Sequence, residues 1–178
     1  CLKCKPGYYP KEDDLTQCMN STPTGYYLES TSNIYKRCYS SCEECSTSGD
    51  KLNHNCNTCK QYYYKLVDND SNCYHNKTKI ENYYFDDTLL LFDKCNDSCL
   101  FCYGKSDASS HNCSICKKDY FYAPDIKSCF LLENKPLNYY MDGKLNILMK
   151  CYSLCSRCYG FGNSNFHNCS ECIDNKRY

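Results

Sequence analysis

Tryptophan is absent from the 178 residues, valine occurs once (Val67), and Leu, Ile, Val and Phe together number only 29. A chain so poor in aliphatic side chains cannot offset the conformational entropy of folding by core packing alone. Long hydrophobic runs are missing too. Runs such as Leu89 to Phe92 (LLLF) and Cys129 to Leu132 (CFLL) fall far short of the ~20 residues that cross a bilayer. No direct membrane insertion by this segment is therefore expected. There is no charge excess, with 21 basic and 21 acidic residues. Nor is there a basic stripe, so the electrostatic case for nucleic acid is missing. No nucleophile elbow, phosphate loop or metalloprotease helix motif occurs, and no enzyme is expected. The first residues carry no Met, charged leader or apolar signal core. A targeting segment, if the chain is secreted, is expected outside this sequence.

What is abundant is cysteine and tyrosine, 20 of each. This cysteine content exceeds the ~8–10% at which a secreted disulfide scaffold becomes the leading class. Cross-links closing many short loops offset a small core, each contributing about 2–4 kcal/mol. Tyrosine, large and tolerant of half-exposure, is read as the main packing residue.

The cysteines are periodic. Cys38, Cys95 and Cys151 stand 57 and 56 positions apart, and from each runs the same spacing, C-x3-C-x2-C-x10-C-x2-C. A sixth cysteine follows in the first two runs, Cys73 and Cys129. Cys1, Cys4 and Cys18 match the fourth, fifth and sixth cysteines of the same unit. The chain thus reads as a window on a tandem array of stacked units. Other features keep the phase. Tyr26-Tyr27, Tyr83-Tyr84 and Tyr139-Tyr140 begin twelve positions before the first cysteine, and Ile34-Tyr35, Leu91-Phe92 and Ile147-Leu148 follow across polar turns. Each such pair of stretches predicts a β-hairpin. A basic residue precedes the first cysteine (Arg37, Lys94, Lys150), and His-Asn-Cys recurs at His54, His111 and His167. No segment reads as a convincing helix.

Two chemistries suit this spacing. Cys42, Cys45, Cys56 and Cys59 have the form of a four-thiolate zinc site, in which a His-Asn-Cys histidine substitutes for one ligand. Against zinc, each complete repeat has six cysteines, and zinc would leave Cys38 and Cys73 over. Six Asn-x-Ser/Thr acceptors occur, at Asn20, Asn69, Asn76, Asn96, Asn112 and Asn168, which fits an oxidising secretory compartment. Disulfides with N-linked glycans, and no other cofactor, are the favoured reading. An intracellular zinc-binding repeat protein remains the alternative.

The stretches PTGYYLESTSNIYKRCYSSCEEC (Pro23 to Cys45) and KPLNYYMDGKLNILMKCYSLCSRC (Lys135 to Cys158) resemble the furin-like, growth-factor-receptor type of cysteine-rich repeat. The Tyr- and Asn-rich wording is also similar to large cysteine-rich repeat surface proteins of ciliates and other protists. The resemblance implies bridges from first to third, second to fourth and fifth to sixth cysteine. In this chain that means Cys4–Cys18, Cys38–Cys45, Cys42–Cys56, Cys59–Cys73, Cys95–Cys102, Cys99–Cys113, Cys116–Cys129, Cys151–Cys158 and Cys155–Cys169. Cys1 and Cys172 are left unpaired within the chain. Spacing alone leaves all 15 pairings of six cysteines open. The 21 residues between units are longer than the family's usual connection and are expected to extend the hairpin.

The expected fold is therefore small and disulfide-rich, mostly irregular with short β-hairpins and little or no helix, as an elongated rod of tandem repeats. Expected boundaries are 1–18 for the back of a truncated repeat, then repeats at 19–73, 74–129 and 130–178. The histidines are expected to pack on the cysteine knots. The carboxylate pairs Asp13-Asp14 and Asp86-Asp87 are expected to be solvated at turns, with calcium the less favoured reading. One tyrosine of each pair is expected to pack on its own unit and its neighbour to be exposed. Leu89, Leu90, Leu91 and Phe92, lacking polar alternation, form the candidate protein interface. The expected function is a non-catalytic extracellular or cell-surface structural protein, part of a glycosylated filament, coat or stalk. Its partners would be itself, head to tail or laterally, or flanking repeats. The alternative is a receptor or adhesin ectodomain binding a protein or glycan ligand.

Overall fold

The structure is a computed structural model, and it describes residues 3–173. The described residues form 18 short strands and one 3-10 turn. They fall into three kinds of hairpin that follow one another along the chain.

The first kind is a loop hairpin, running from the fifth cysteine of a unit to the sixth. It comprises β1 (Tyr9–Lys11) with β2 (Asp14–Met19), and later copies. The second is a connecting hairpin, starting at the tyrosine pair: β3 (Tyr26–Glu29) with β4 (Ile34–Arg37). The third is a knot hairpin spanning the inner cysteines: β5 (Cys42–Cys45) with β6 (Cys56–Cys59). The cycle repeats as β7 (Tyr63–Leu66) with β8 (Asn69–His75), β9 (Tyr83–Asp86) with β10 (Leu91–Lys94), and β11 (Cys99–Cys102) with β12 (Cys113–Cys116). It continues with β13 (Phe121–Ala123) and β14 (Ser128–Phe130), the 3-10 turn Leu132–Asn134, β15 (Tyr139–Asp142) and β16 (Ile147–Lys150), and β17 (Cys155–Cys158) with β18 (Cys169–Cys172). The connecting hairpins lie where the sequence predicts them. Loop and knot hairpins were not announced by the sequence pattern, because cysteines and polar residues hide their alternation.

Each connecting hairpin turns through four residues and closes in a left-handed residue. Asn33 (φ 53°) and Asn146 (φ 57°) hold that position in two of them, and their amides bond back to Glu29 O and Asp142 O at 2.8 Å. Asparagine tolerates this region better than most L-residues. The third turn places Leu90 there, at φ 54°.

By packing, the described chain divides into two compact units. One contains the described residues up to Lys79 together with Phe85–Asp93, the other Ile80–Tyr84 and the described residues from Lys94 onward. In the first unit, β1 and β4 pair in parallel, with Lys11 opposite Tyr35, so one four-stranded sheet has the order β2-β1-β4-β3. Phe92 of β10 likewise faces Leu66 of β7. The bonds that join them are equivalent: Glu12 N–H to Tyr35 O at 3.0 Å, and Val67 N–H to Phe92 O at 2.9 Å. In the second unit the equivalent donor would be residue 124, a proline. Proline has no N–H to give, and there β13–β14 and β15–β16 remain separate two-stranded sheets. Packing takes over: Ala123 and Leu148, both fully buried, meet Tyr139 in one cluster with Phe121, Ile126, Phe130 and Met141 around it.

The cores are small and follow the repeat. Tyr35, Phe92 and Leu148 hold the same position, three before the first cysteine, and all are buried. Around the knots the buried side chains are mostly cystine with one tyrosine, Tyr27 in the first, Tyr84 in the second and Tyr140 in the third.

Candidate functional site

Nine disulfides are present among the described residues. They join Cys4–Cys18, Cys38–Cys45, Cys42–Cys56, Cys59–Cys73, Cys95–Cys102, Cys99–Cys113, Cys116–Cys129, Cys151–Cys158 and Cys155–Cys169. In the knot hairpins the facing cysteines are not the bonded ones: Cys42 faces Cys59 and bonds Cys56. The four sulfurs of the zinc-like set Cys42, Cys45, Cys56 and Cys59 are all in bridges, so that set offers no thiolate. Among the described residues no group of three or more His, Cys, Asp and Glu is arranged around a metal position. Cys172 is unpaired and half-buried at the end of β18. Cys1 lies outside the described residues.

The His-Asn-Cys stretch is a structural device with three copies. His54 is buried at 4% exposure. Its Nδ1 accepts the Cys73 N–H at 3.0 Å and lies 3.1 Å from Ser41 Oγ. A ring nitrogen that accepts from an amide is unprotonated, so the ring is neutral with its proton on Nε2. Burial holds its pKa below the ordinary histidine value. The ring stacks on Tyr39, with centroids 4.2 Å apart. His167 stacks on Tyr152 at 4.6 Å. His111 instead tilts against Phe130, with Ser98 Oγ 3.0 Å from its Nδ1. The asparagine that follows is left-handed each time: Asn55 at φ 56°, Asn112 at 54° and Asn168 at 55°. Its amide nitrogen donates to a carbonyl seven residues back, Ser48, Lys105 and Phe161 respectively.

The other acceptor asparagines differ. Asn20 is exposed at the end of β2. Asn69 turns its Oδ1 to Ser71 N, Ser71 Oγ and Asn72 N, and Asn96 turns its Oδ1 to Ser98 N and Oγ. Asn76 has its Oδ1 enclosed without a partner.

The tyrosine pairs correct the expectation of an exposed row. In each pair the second tyrosine is buried against the knot that follows. The first reaches back in the two pairs that lie wholly within one unit. Tyr26 donates its hydroxyl to Asp13 at 2.9 Å, and Tyr139 donates to Asp125 at 2.6 Å. Alternation along a strand sends the two rings to opposite faces, and here both faces are occupied. Burial, then the Asp125 bond, pushes the Tyr139 hydroxyl pKa up. Asp13 is therefore not the free turn carboxylate expected. The Tyr26 hydrogen bond is the first cause of its lowered pKa, and Arg37 adds an ion pair at 2.9 Å. Asp14 and Asp86 do cap turns, Asp14 accepting from Thr16 and Asp86 from the amides of Thr88 and Leu89.

The candidate interface splits. Phe92 is core at 1% exposure and Leu91 is half-buried, whereas Leu89 and Leu90 stand at the turn, 61% and 56% exposed. A second exposed group went unnoticed in the sequence. Tyr159, Phe161 and Phe166, all on the loop between Cys158 and Cys169, are 73%, 67% and 74% exposed. The corresponding loops read STSGDKLNHN and YGKSDASSHN. Their low aromatic content was the available signal.

The chain is similar to regions of much longer proteins. It is 27% identical over 98% of its length to furin-like protease 2 of Drosophila melanogaster, and covers 9% of that protein. It is 27% identical over 98% of its length to extracellular matrix organizing protein FRAS1 of Homo sapiens, and covers 4% of it. Over 88% of its length it is 27% identical to cysteine repeat modular protein 2 of Tetrahymena thermophila, of which it covers 8%. No family model matches the chain. No solved structure matches it.

Proposed function

We propose that the chain, which is similar over most of its length to furin-like cysteine-rich repeat proteins, is a non-catalytic structural segment of an extracellular or cell-surface protein. In this reading it builds part of a glycosylated filament, coat or stalk, with flanking repeats or further copies of itself as partners. The observation that carries the reading is the repeated joint. Each connecting hairpin places a buried tyrosine on the following knot, and each of the two first tyrosines described above bonds an aspartate of the preceding loop hairpin. A joint that recurs with the period suits a protein that needs the same contact many times. The name of one relative, an extracellular matrix organizing protein, fits the same reading. Negative-stain imaging with light scattering tests it. Long regular fibres at micromolar concentration support it, and dispersed particles of monomer mass overturn the self-assembling form.

A second reading has one observation of its own. Tyr159 has an equally exposed counterpart in Tyr103, but Phe161 and Phe166 have none in the first two knot loops, and singular exposed aromatics suit ligand contact. Replacing Phe161 and Phe166 with Ser leaves fibres intact under the first reading and abolishes cell or glycan adhesion under the second.

A further inference from the structure

Six asparagines carry an acceptor sequence for N-linked glycan, and the structure treats them in different ways. We propose that glycans sit on Asn20, Asn69 and Asn96, whereas Asn112 and Asn168 are structural locks that stay unmodified. This rests on the extracellular reading above.

The amide nitrogen decides which asparagines can carry a glycan. Glycan transfer forms a bond from Nδ2 to the anomeric carbon of a lipid-diphosphate-linked sugar. The carbon–oxygen bond to the diphosphate breaks, Nδ2 gives up one proton, and the lipid diphosphate leaves with the electron pair. The nitrogen must therefore face solvent and the incoming sugar. Asn112 Nδ2 is 2.6 Å from Lys105 O, and Asn168 Nδ2 bonds Phe161 O. Both nitrogens point into the loop they close, and a sugar there would have to wedge between the amide and that loop.

Asn55 shows that the lock is independent of any glycan. It has the same φ, within 2° of the other two, and the same bond, to Ser48 O at 2.7 Å. Yet Asn55-Cys56-Asn57 is not an acceptor sequence. Asparagine is needed at this position because it tolerates the left-handed region and reaches a carbonyl seven residues back. The serines Ser114 and Ser170 that complete two acceptor sequences are incidental to that need. At Asn69 and Asn96 the geometry is reversed. There Oδ1 makes the local bonds, both residues are half-buried, and the amide is not engaged through Nδ2 as it is in the locks. Asn20 is exposed and lies beyond the Cys4–Cys18 bridge. Asn76 carries neither signature and is not assigned.

The test uses the full chain secreted from a eukaryotic cell, with oxidised bridges verified by peptide mapping. Enzymatic release of N-glycans in heavy-oxygen water labels each formerly occupied asparagine. Label is expected at Asn20, Asn69 and Asn96 and absent at Asn112 and Asn168. Label at Asn112 or Asn168 in the fully bridged protein overturns the assignment, as does a bridged, secreted chain with none at the other three. Ser114→Ala and Ser170→Ala remove those two acceptor sequences without touching the locks, and neither should change the intact mass beyond the substitution itself. Asn55→Gln, Asn112→Gln and Asn168→Gln should each lower amide protection of their own knot hairpin about tenfold. Unchanged protection would remove the lock. Antibody labelling of the native protein on intact cells tests the extracellular reading separately, since forced secretion does not depend on it.

Discussion

Two glycines in one loop make a matched pair. A Cβ added at Gly162 would lie 2.1 Å from His167 O, 2.8 Å from its carbonyl carbon and 2.9 Å from Tyr152 Cβ. A Cβ added at Gly160 meets nothing within 4 Å. An ordinary carbon–oxygen contact is above about 3 Å, so Gly162→Ala must move a main-chain carbonyl by roughly 1 Å. That carbonyl belongs to the residue stacked on Tyr152, two positions before the bridged Cys169. Overpacking costs about 1–3 kcal/mol. The obstacle here is backbone and not a mobile side-chain tip, so the upper part of that range applies, about 2–3 kcal/mol. Local opening of the β17–β18 hairpin should then become about 30- to 140-fold more frequent, at 1.4 kcal/mol per decade. Amide hydrogen exchange of residues 155–158 and 169–172 in the oxidised protein measures it. Gly160→Ala should leave protection unchanged or slightly raised, because alanine narrows the unfolded ensemble. Equal protection in the two variants would refute the reasoning. The second repeat offers a natural control. Ser106 stands where Gly49 and Gly162 stand, and Asn96 stands where Tyr39 and Tyr152 stand. Glycine thus accompanies the tyrosine on which the histidine stacks.

The remaining predictions concern single residues. Because burial lowers the folded-state pKa of His54, the unfolded chain binds the proton first as pH falls. Stability should be full above about pH 6.5 and decline below it, until the folded form also protonates. His54→Gln, whose amide oxygen can still accept the Cys73 N–H, should flatten that slope in urea unfolding between pH 5 and 7. Leu90→Asn, which places an αL-tolerant residue at φ 54°, should stabilise by about 0.5–1 kcal/mol and raise the melting temperature by about 2 °C. The same change should weaken any assembly that uses the Leu89–Leu90 turn, seen as a lower mass by light scattering. Val67→Pro removes the donor to Phe92 O and should cost about 1–3 kcal/mol, read as lost protection in β7 and β10.

The repeat and its connecting hairpins were legible because they are local. A tyrosine pair, a polar turn and a short apolar stretch keep fixed offsets from the next cysteine, and the strands Tyr26–Glu29, Ile34–Arg37, Tyr139–Asp142 and Ile147–Lys150 form there. What escaped the sequence reading is non-local. Nothing in the spacing says that Lys11 will meet Tyr35 across 23 intervening residues. Without that packing, one tyrosine of each pair reads as exposed and Asp13 reads as a solvated turn carboxylate. The knot shows the same limit. Alternation brings Cys42 opposite Cys59, but its bridge goes to Cys56, so register and bonding cannot be inferred from each other. The left-handed asparagines were hidden differently: their sequence looks like a glycan signal, and only the backbone reveals a conformational one.

Proline at residue 124 bears on what the repeated joint requires. If the parallel hydrogen bond were essential, a proline at its donor position would break the third joint. Instead the second unit keeps a packed cluster with Ala123 and Leu148 fully buried and adds the Tyr139–Asp125 bond at 2.6 Å. The first unit has both the backbone bond and the tyrosine–aspartate contact, Tyr26 to Asp13. The invariant part is therefore the buried residue three before the first cysteine; the tyrosine–aspartate contact occurs at the Tyr26 and Tyr139 joints, and the backbone bond is an addition. That ordering follows from magnitudes. A backbone hydrogen bond contributes about 0.5–1.5 kcal/mol net, whereas burying a Leu or Phe side chain contributes about 1.5–3 kcal/mol. Tyr35, Phe92 and Leu148 are all large and buried, and two of the three are drawn from only 29 Leu, Ile, Val and Phe residues in the chain. The gain from burial accounts for a large apolar or aromatic side chain at this position in all three repeats, Tyr35, Phe92 and Leu148.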